Sequence, residues 1–533
     1  MQSSGRCVSC DPERGCHQQR RGSIADGGDR SGRVTPRKVF RRIEALRGCP
    51  PVAQREGDHD DQRRGPCEKC RSFADRHASE PGDHLDKCYH RCMARRSTVP
   101  LARLHCIPAV TDAPASRRLD NGLVMHALEA RHAPVVSLWV WYQVGGRNEV
   151  PGTTGMSHFL EHMLFKGTPR HPKGDLDKLL ARYGALWNAF TSEDVTCYFE
   201  TVPAERYPVA LELEADRMRN ALITEEETQA ERNVIVSERE GLENDPSFLL
   251  GEQLQAVAFS RHPYAQGVIG SKEEIKLMTR DGLYAHYRRH YAPNNAYFIV
   301  AGDAPATELL DRAAAAFGPL DAEAPIEPPK APEPPQYGER RVIVRRAGGA
   351  LPIIQVGHKA PRAADPRAPA LSALAVTLAG ATAGGGEAAS GRSSRLYRAL
   401  VDTGLATTVD ASFQLMKDPY LFVVEAHLRP GVTHDRVERV ILDELEKVAR
   451  SALTDSEFGR VRRQMLSASA FMTDTITWRA WRFGQLLATG AAASLGEWYD
   501  RLAAVTAEDV RAAAESVFQE KGRTVGWFVP EQS

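Results

Sequence analysis

At 533 residues the chain exceeds what one hydrophobic core organises, and its length fits three or four domains. Hydrophobic residues make up 42% and charged residues 26%, an ordinary soluble composition. Lys+Arg and Asp+Glu both number 69, so no global field favours nucleic acid or a membrane surface. No apolar run approaches the ~20 residues that span a bilayer.

The chain opens on MQSSGRCVSCDPERGCHQQRRG, which is basic but has no apolar stretch of the kind a secretory signal needs. As written it reads as cytoplasmic, and as periplasmic should the true N-terminus differ. Of its 10 cysteines only Cys197 lies beyond residue 110. Cys67-x-x-Cys70 and Cys88-x-x-x-Cys92 have the pair spacing of a zinc ribbon, which would bind nucleic acid. The same segment is rich in Arg, Gly, Asp and His and poor in Leu, Ile and Phe, so it has little to pack around such a site. Residues 1–112 are therefore read as a disordered or non-native extension, with Met93 as a candidate internal start. No nucleic-acid or membrane partner is expected.

Order is expected from about residue 117. Arg118–Met125 reads as a hairpin on an Asn-Gly turn, and Val135–Val144 (VVSLWVWYQV) as a strand between Pro134 and Gly145. A helix is expected over Gly155–Lys166 and another over Asp175–Tyr183, stopped by Gly184. Strands follow at Asn188–Thr191 and Val195–Thr201, then a helix opened by Pro203 and running to about Asn220. Thr224 with Glu227 is a capping box for a helix to Leu242, and Tyr297–Ala301 is a buried strand. Residues 323–337 (EAPIEPPKAPEPPQY) hold six prolines, the composition of a semi-rigid extended linker.

Beyond that linker the plan repeats. Ser157-x-x-Leu160-x-x-x-Leu164-x-x-Gly167 echoes Ser393-x-x-Leu396-x-x-x-Leu400-x-x-x-Gly404, and Met278-Thr279-Arg280-Asp281 echoes Val505-Thr506-Ala507-Glu508-Asp509. Each match is weak alone; their common order divides the chain into 113–322, a linker at 323–337, and 338–533.

The chemistry is concentrated in Gly155-Met156-Ser157-His158-Phe159-Leu160-Glu161-His162-Met163-Leu164-Phe165. Positions i, i+3 and i+4 share one helix face, so both imidazoles and the Glu161 carboxylate point into one volume. Two such histidines suit two tetrahedral positions of zinc, and Glu161 is placed to take a proton from a water there. A bare His-x-x-Glu-His arises by chance in a chain of this length. Here Phe159, Leu160, Met163, Leu164 and Phe165 wrap the same helix, and a buried helix does not present these three groups without a partner for them.

These residues resemble the pitrilysin family of zinc metallopeptidases, which includes insulin-degrading enzymes and the mitochondrial processing peptidase. The resemblance runs from about residue 117 to the C-terminus. It implies a third ligand at Glu238, 76 residues after His162, in Glu231-Arg232-Asn233-Val234-Ile235-Val236-Ser237-Glu238. It implies a supporting catalytic carboxylate at Glu231, and an edge strand Asn188-Ala189-Phe190-Thr191 to which extended peptide adds. It implies one zinc ion per chain and an α+β fold of two homologous halves, each an antiparallel sheet covered by helices, closed like a clamshell. In single-chain relatives an Arg and a Tyr from the second half approach the substrate; here Val401 and Thr407 stand at those positions. The expectation is a zinc endopeptidase of unfolded peptides that works as a heterodimer with a homologous chain supplying the Arg and Tyr. The alternative is a zinc-bound, non-catalytic scaffold subunit of a processing complex.

Overall fold

A computed structural model describes residues 114–347, 351–381 and 391–531; the cysteine-rich N-terminal segment, with Cys67, Cys70, Cys88, Cys92 and Met93, lies outside the described residues. The first sheet is built from β1 (Ala115–Arg118), β2 (Val124–Glu129), β3 (Val135–Tyr142), β4 (Leu186–Thr191), β5 (Thr196–Pro203) and β6 (Ala296–Gly302). Helices α1 (Met156–Met163) and α2 (Asp175–Arg182) lie between β3 and β4. Helices α3 (Tyr207–Asn220), α4 (Glu225–Leu242), α5 (Pro246–Ala258), α6 (Lys272–Leu277) and α7 (Arg280–His290) lie between β5 and β6, and α8 (Ala306–Phe317) follows. Pro203 ends β5 rather than opening the helix; a short 3-10 turn intervenes before α3.

The second half runs β7 (Arg340–Ala347), β8 (Ile353–Ala360), α9 (Ala368–Ala379), a wide helical turn at Tyr397–Val401, β9 (Ala406–Phe413) and β10 (Tyr420–Leu428). Helices α10 (His434–Arg450), α11 (Asp455–Met472), α12 (Ile476–Thr489), α13 (Leu495–Ala504) and α14 (Ala507–Val517) precede β11 (Arg523–Glu531). The sheet orders are β1-β2-β6-β3-β5-β4 and β7-β11-β8-β10-β9. Setting β2 on β7, β3 on β8, β4 on β9, β5 on β10 and β6 on β11 makes them identical, with β1 added to the first. The halves are therefore homologous in topology. Each sheet is antiparallel except for one parallel pair, β2 with β6 and β7 with β11, the first and last strands of the shared five-strand plan.

This topology corrects one reading of the repeat. The Ser393 segment precedes β9, so its counterpart is α2 before β4, with Gly184 (φ 65°) and Gly404 (φ 74°) turning the chain in both places. The counterpart of α1 is α9.

The continuous apolar run of β3 is explained by burial on both faces. Val136, Leu138 and Val140 face a core under α1, α3, α7 and α8, while Trp139 and Trp141 face a core shared with the second half. The halves also exchange a helix. Helix α12 of the second half packs on β3 and β6, and α5 of the first packs on β7, β8 and β11. Gly484 makes the first contact possible: a Cβ there would collide with the indole ring of Trp141. The two halves thus close on each other through a common interior that includes Trp139, Phe199, Leu374, Phe422 and Phe483.

The Pro-rich stretch has no regular structure over 321–337, as its composition predicts, yet it is docked. Glu333 accepts the backbone N–H groups of Ser260 (2.9 Å), Arg261 (2.9 Å) and His262 (3.1 Å). Burial raises the Glu333 pKa, but these bonds outweigh it and hold the carboxyl at about 2.

Candidate metal centre

Helix α1 is only eight residues long, so its start has to be fixed by its surroundings. Gly155 begins it at φ 91°, and a Cβ there would collide with the Ile269 carbonyl oxygen. Glu149, nearly fully buried, accepts the N–H of Gly155 (2.7 Å) and of Ser157 (2.6 Å), satisfying donors at the helix N-terminus. Burial pushes the Glu149 carboxyl up to about 7 despite those bonds. Phe159, Leu160 and Met163 pack fully into the first core, which turns His158, Glu161 and His162 to the opposite side.

Helix α4 meets that side. Its N-cap Thr224 accepts from the Glu227 N–H, one half of the expected capping box, while the Glu227 carboxylate takes Lys173 instead, and Ile235 anchors its inner face in the core. His158, His162 and Glu238 converge, their ligand atoms all within 4.8 Å of one another. Oε2 of Glu238 lies 3.4 Å from Nε2 of His162 and 3.8 Å from Nε2 of His158. Two imidazole nitrogens and a carboxylate oxygen at this spacing could hold a metal ion, and their donor set matches the three protein ligands of an open zinc site.

The neighbours prepare this geometry. Nδ1 of His162 donates to Oε1 of Glu231 (2.7 Å), which leaves Nε2 as the nitrogen facing Glu238. Glu231, two helical turns before Glu238, is buried, and its second oxygen pairs with Lys166. Thr191 of β4 donates to Oε2 of Glu161 (2.8 Å). Strand β4 is a sheet edge that pairs only with β5 among the described residues. Its side chains alternate: Ala189 joins the core on the α1 side, while Phe190 packs edge-on against Trp141 on the other. Asn188 accepts the N–H of Ala189 (2.8 Å).

The predicted residues Asn188, Ala189, Phe190 and Thr191 therefore share one edge strand beside Glu161, and His158, His162, Glu231 and Glu238 form one cluster. Val401 is half-buried against the shared core, and Thr407 is exposed on the edge strand β9, donating to the His427 carbonyl (3.2 Å). Arg395 is held by both oxygens of Glu457, at 2.7 and 2.9 Å. Sequence reasoning missed Glu149 and Lys166. Lys166 was findable, since it stands four residues after His162 on the same helical register; Glu149 had no local signal.

Comparison with known proteins agrees with this arrangement. The family model described as insulinase (peptidase family M16) matches residues 125–272, and that of the peptidase M16 inactive domain matches residues 278–465. An uncharacterized zinc protease of Streptomyces coelicolor is 31% identical over 391 residues, covering 71% of this chain and 81% of that protein. The probable mitochondrial-processing peptidase subunit beta of Arabidopsis thaliana is 27% identical over 79% of this chain and 80% of its own length. The crystal structure of a protease from Helicobacter pylori superposes with a TM-score of 0.74 at 26% identity, covering 78% of this chain and all of that one. With its two homologous halves, and with a relative this similar over most of its length, the chain belongs to the M16 (insulinase, or pitrilysin) family of zinc peptidases.

Proposed function

We propose that this protein is a zinc-dependent endopeptidase that hydrolyses extended peptide and is completed by a homologous partner chain. The observation that carries the reading is the convergence of His158, His162 and Glu238 beside a glutamate held by the edge strand of a sheet. In this reading those three residues hold one zinc ion. Zinc, when bound, supplies Lewis-acid polarisation of a carbonyl and lowers the pKa of water. Peptide pairs with the open edge of β4, whose backbone holds it without reading its sequence. Thr191 fixes the orientation of Glu161, which takes the proton of the attacking water and returns it to the leaving amine. Glu231 holds the His162 ring in place and is itself held by Lys166.

Among the described residues the second half, 338–533, carries no ligand set of this kind, and it offers Val401 and Thr407 where a donor to the developing oxyanion is expected. A missing donor of that sort typically costs about 100- to 1,000-fold in turnover. The partner is therefore assigned the Arg and the Tyr. The same two residues favour a second reading, a zinc-bound scaffold subunit with no turnover of its own. The test is cleavage of a quenched peptide by the purified zinc-loaded chain, alone and with a homologous chain that carries the Arg and Tyr. Activity rising at least tenfold on addition supports the heterodimer. Full activity of the chain alone overturns the need for a partner, and no activity in either condition favours the scaffold.

A further inference from the structure

A cavity of about 340 Å³ lies between the halves on the side of β4 turned away from α1. Phe190 and Ser192 line it from β4 and the turn after it, Trp141 from β3, and Trp481, Arg482 and Gln485 from α12. Its walls mix aromatic and apolar side chains with polar ones, Glu193 and Asp194 among them, and two features of its polar groups stand out. The indole Nε1 of Trp141, a residue 1% exposed, is buried and has no hydrogen-bond acceptor among the described residues. Arg482 has no carboxylate within ion-pair reach among the described residues. The buried arginines are each neutralised twice, Arg147 by Asp194 and Asp418, Arg217 by Glu200 and Glu214, Arg239 by Glu243 and Glu252, whereas Arg482 is half-buried.

Arg482 instead donates to the Gln485 side chain and lies 5.4 Å from the centre of the Trp498 ring. Burial depresses its pKa, as expected of a desolvated cation without a counter-charge. The acids at the cavity wall are committed elsewhere. Asp194 accepts from the Tyr264 hydroxyl (2.6 Å) and the Lys417 N–H (2.8 Å), and Glu193 accepts from Gln255. An unmatched guanidinium and an unmatched indole N–H in one aromatic pocket are donors suited to an anionic acceptor.

We propose that this cavity is a carboxylate-binding subsite for the peptide that pairs with β4. The proposal rests on the peptidase reading above, because it needs an extended peptide at that edge. Side chains of such a peptide alternate between the α1 side and the cavity side, as Ala189 and Phe190 do. A residue next to the one facing Glu161 therefore presents its side chain towards Trp141 and Arg482. An Asp or Glu side chain satisfies both donors, and the free C-terminal carboxylate of a short peptide has the same chemistry.

The experiment measures equilibrium binding of fluorescent peptides to the full-length, zinc-loaded Glu161→Gln variant, which is expected to bind without cleaving. Peptides identical except for Glu, Gln or Lys at each position in turn are compared, each with a free and an amidated C-terminus. Binding should tighten about 10- to 100-fold for Glu over Gln at one position, the range of a charge-assisted bond to a desolvated group. If the free terminus rather than the side chain gives the gain, the subsite is a terminal-carboxylate site. Arg482→Gln should erase the preference, and Arg482→Lys should retain part of it. Because the Glu and Gln peptides already differ on the unaltered cavity, the test survives if Arg482→Gln fails to fold. Equal binding of all acidic and neutral peptides overturns the subsite and leaves the peptidase reading standing. No binding of any peptide overturns both.

Discussion

The same place in the two halves is filled by α1 and by α9, and the contrast separates what the fold requires from what the chemistry requires. Both helices follow the strand next to the parallel pair, and both pack under their sheet. Helix α9, APALSALAVTLA, has no charged residue and disappears into the shared core. Helix α1, MSHFLEHM, keeps its apolar face and replaces the other with His158, Glu161 and His162. Helices α4 and α11 repeat the lesson. Thr224 and Thr454 cap them alike, each accepting the N–H of the third residue on, and Ile235 and Met465 are buried at the same register. Yet Glu231 corresponds to Val461, and Glu238 to Ala468. The packing positions of α4 and α11 are kept in both halves, while the two glutamates of the cluster stand where the second half has Val461 and Ala468.

The sharpest way to break this comparison is to make the first half resemble the second. Glu238→Ala imports the residue at the matching position of α11, and it should cost most of the bound zinc and with it all measurable turnover. Metal analysis of the purified variant reads this directly, and a full equivalent of retained zinc would show that Glu238 is not a ligand. Glu161→Gln should act differently. Turnover should fall by about 100- to 10,000-fold, the usual weight of a general base, while zinc content stays at one per chain. Retained activity in that variant would remove Glu161 from the mechanism.

A smaller effect is expected one step from the metal. Glu231→Gln keeps the shape of the contact to His162 but removes the charge that Lys166 and the imidazole share. Zinc affinity should weaken by about 10- to 100-fold, measured by competition with a chelating dye. An unchanged affinity would reduce Glu231 to a packing residue of α4.

What is legible in the sequence depends on how far apart the interacting residues lie. The His-x-x-Glu-His face follows from helix geometry, and the Thr224 cap and the strand at Val135 follow from local pattern. Glu238 and Glu231 came from the family resemblance, since nothing local ties residue 238 to residue 162. The exchange of α5 and α12 was not legible, because an amphipathic helix does not say which sheet it will cover. The lack of regular structure over 321–337 follows from its prolines, but the docking of Glu333 onto residues 260–262 depends on three backbone N–H groups that no composition reveals. The repeat was legible while its alignment was not. Short leucine spacings recur in most helices, and only strand order showed that the Ser393 segment matches α2.

The smallest expected effect concerns Glu149, which has no role at the metal but holds the first turn of α1. Its pKa is raised from the ordinary value of 4.5 to about 7, chiefly by burial. A group that binds its proton more tightly when folded lowers stability as pH rises, because the unfolded chain has already released the proton that the native state retains. The slope should therefore fall between about pH 4.5 and 7 and vanish on either side, where both states carry the same charge. A shift of this size corresponds to about 3 kcal/mol over the window. Glu149→Gln mimics the protonated form and still accepts a backbone N–H, so it should remove the slope. At acid pH it should cost no more than about 1 kcal/mol, for the one weakened hydrogen bond. Urea midpoints of the metal-free protein and the variant, taken in small steps across that window and just above it, give the comparison, since every other titrating group cancels in the difference. A constant difference across that range would mean that Glu149 is ionised throughout, and that the N-terminus of α1, with its aligned N–H groups, outweighs the cost of burying the charge.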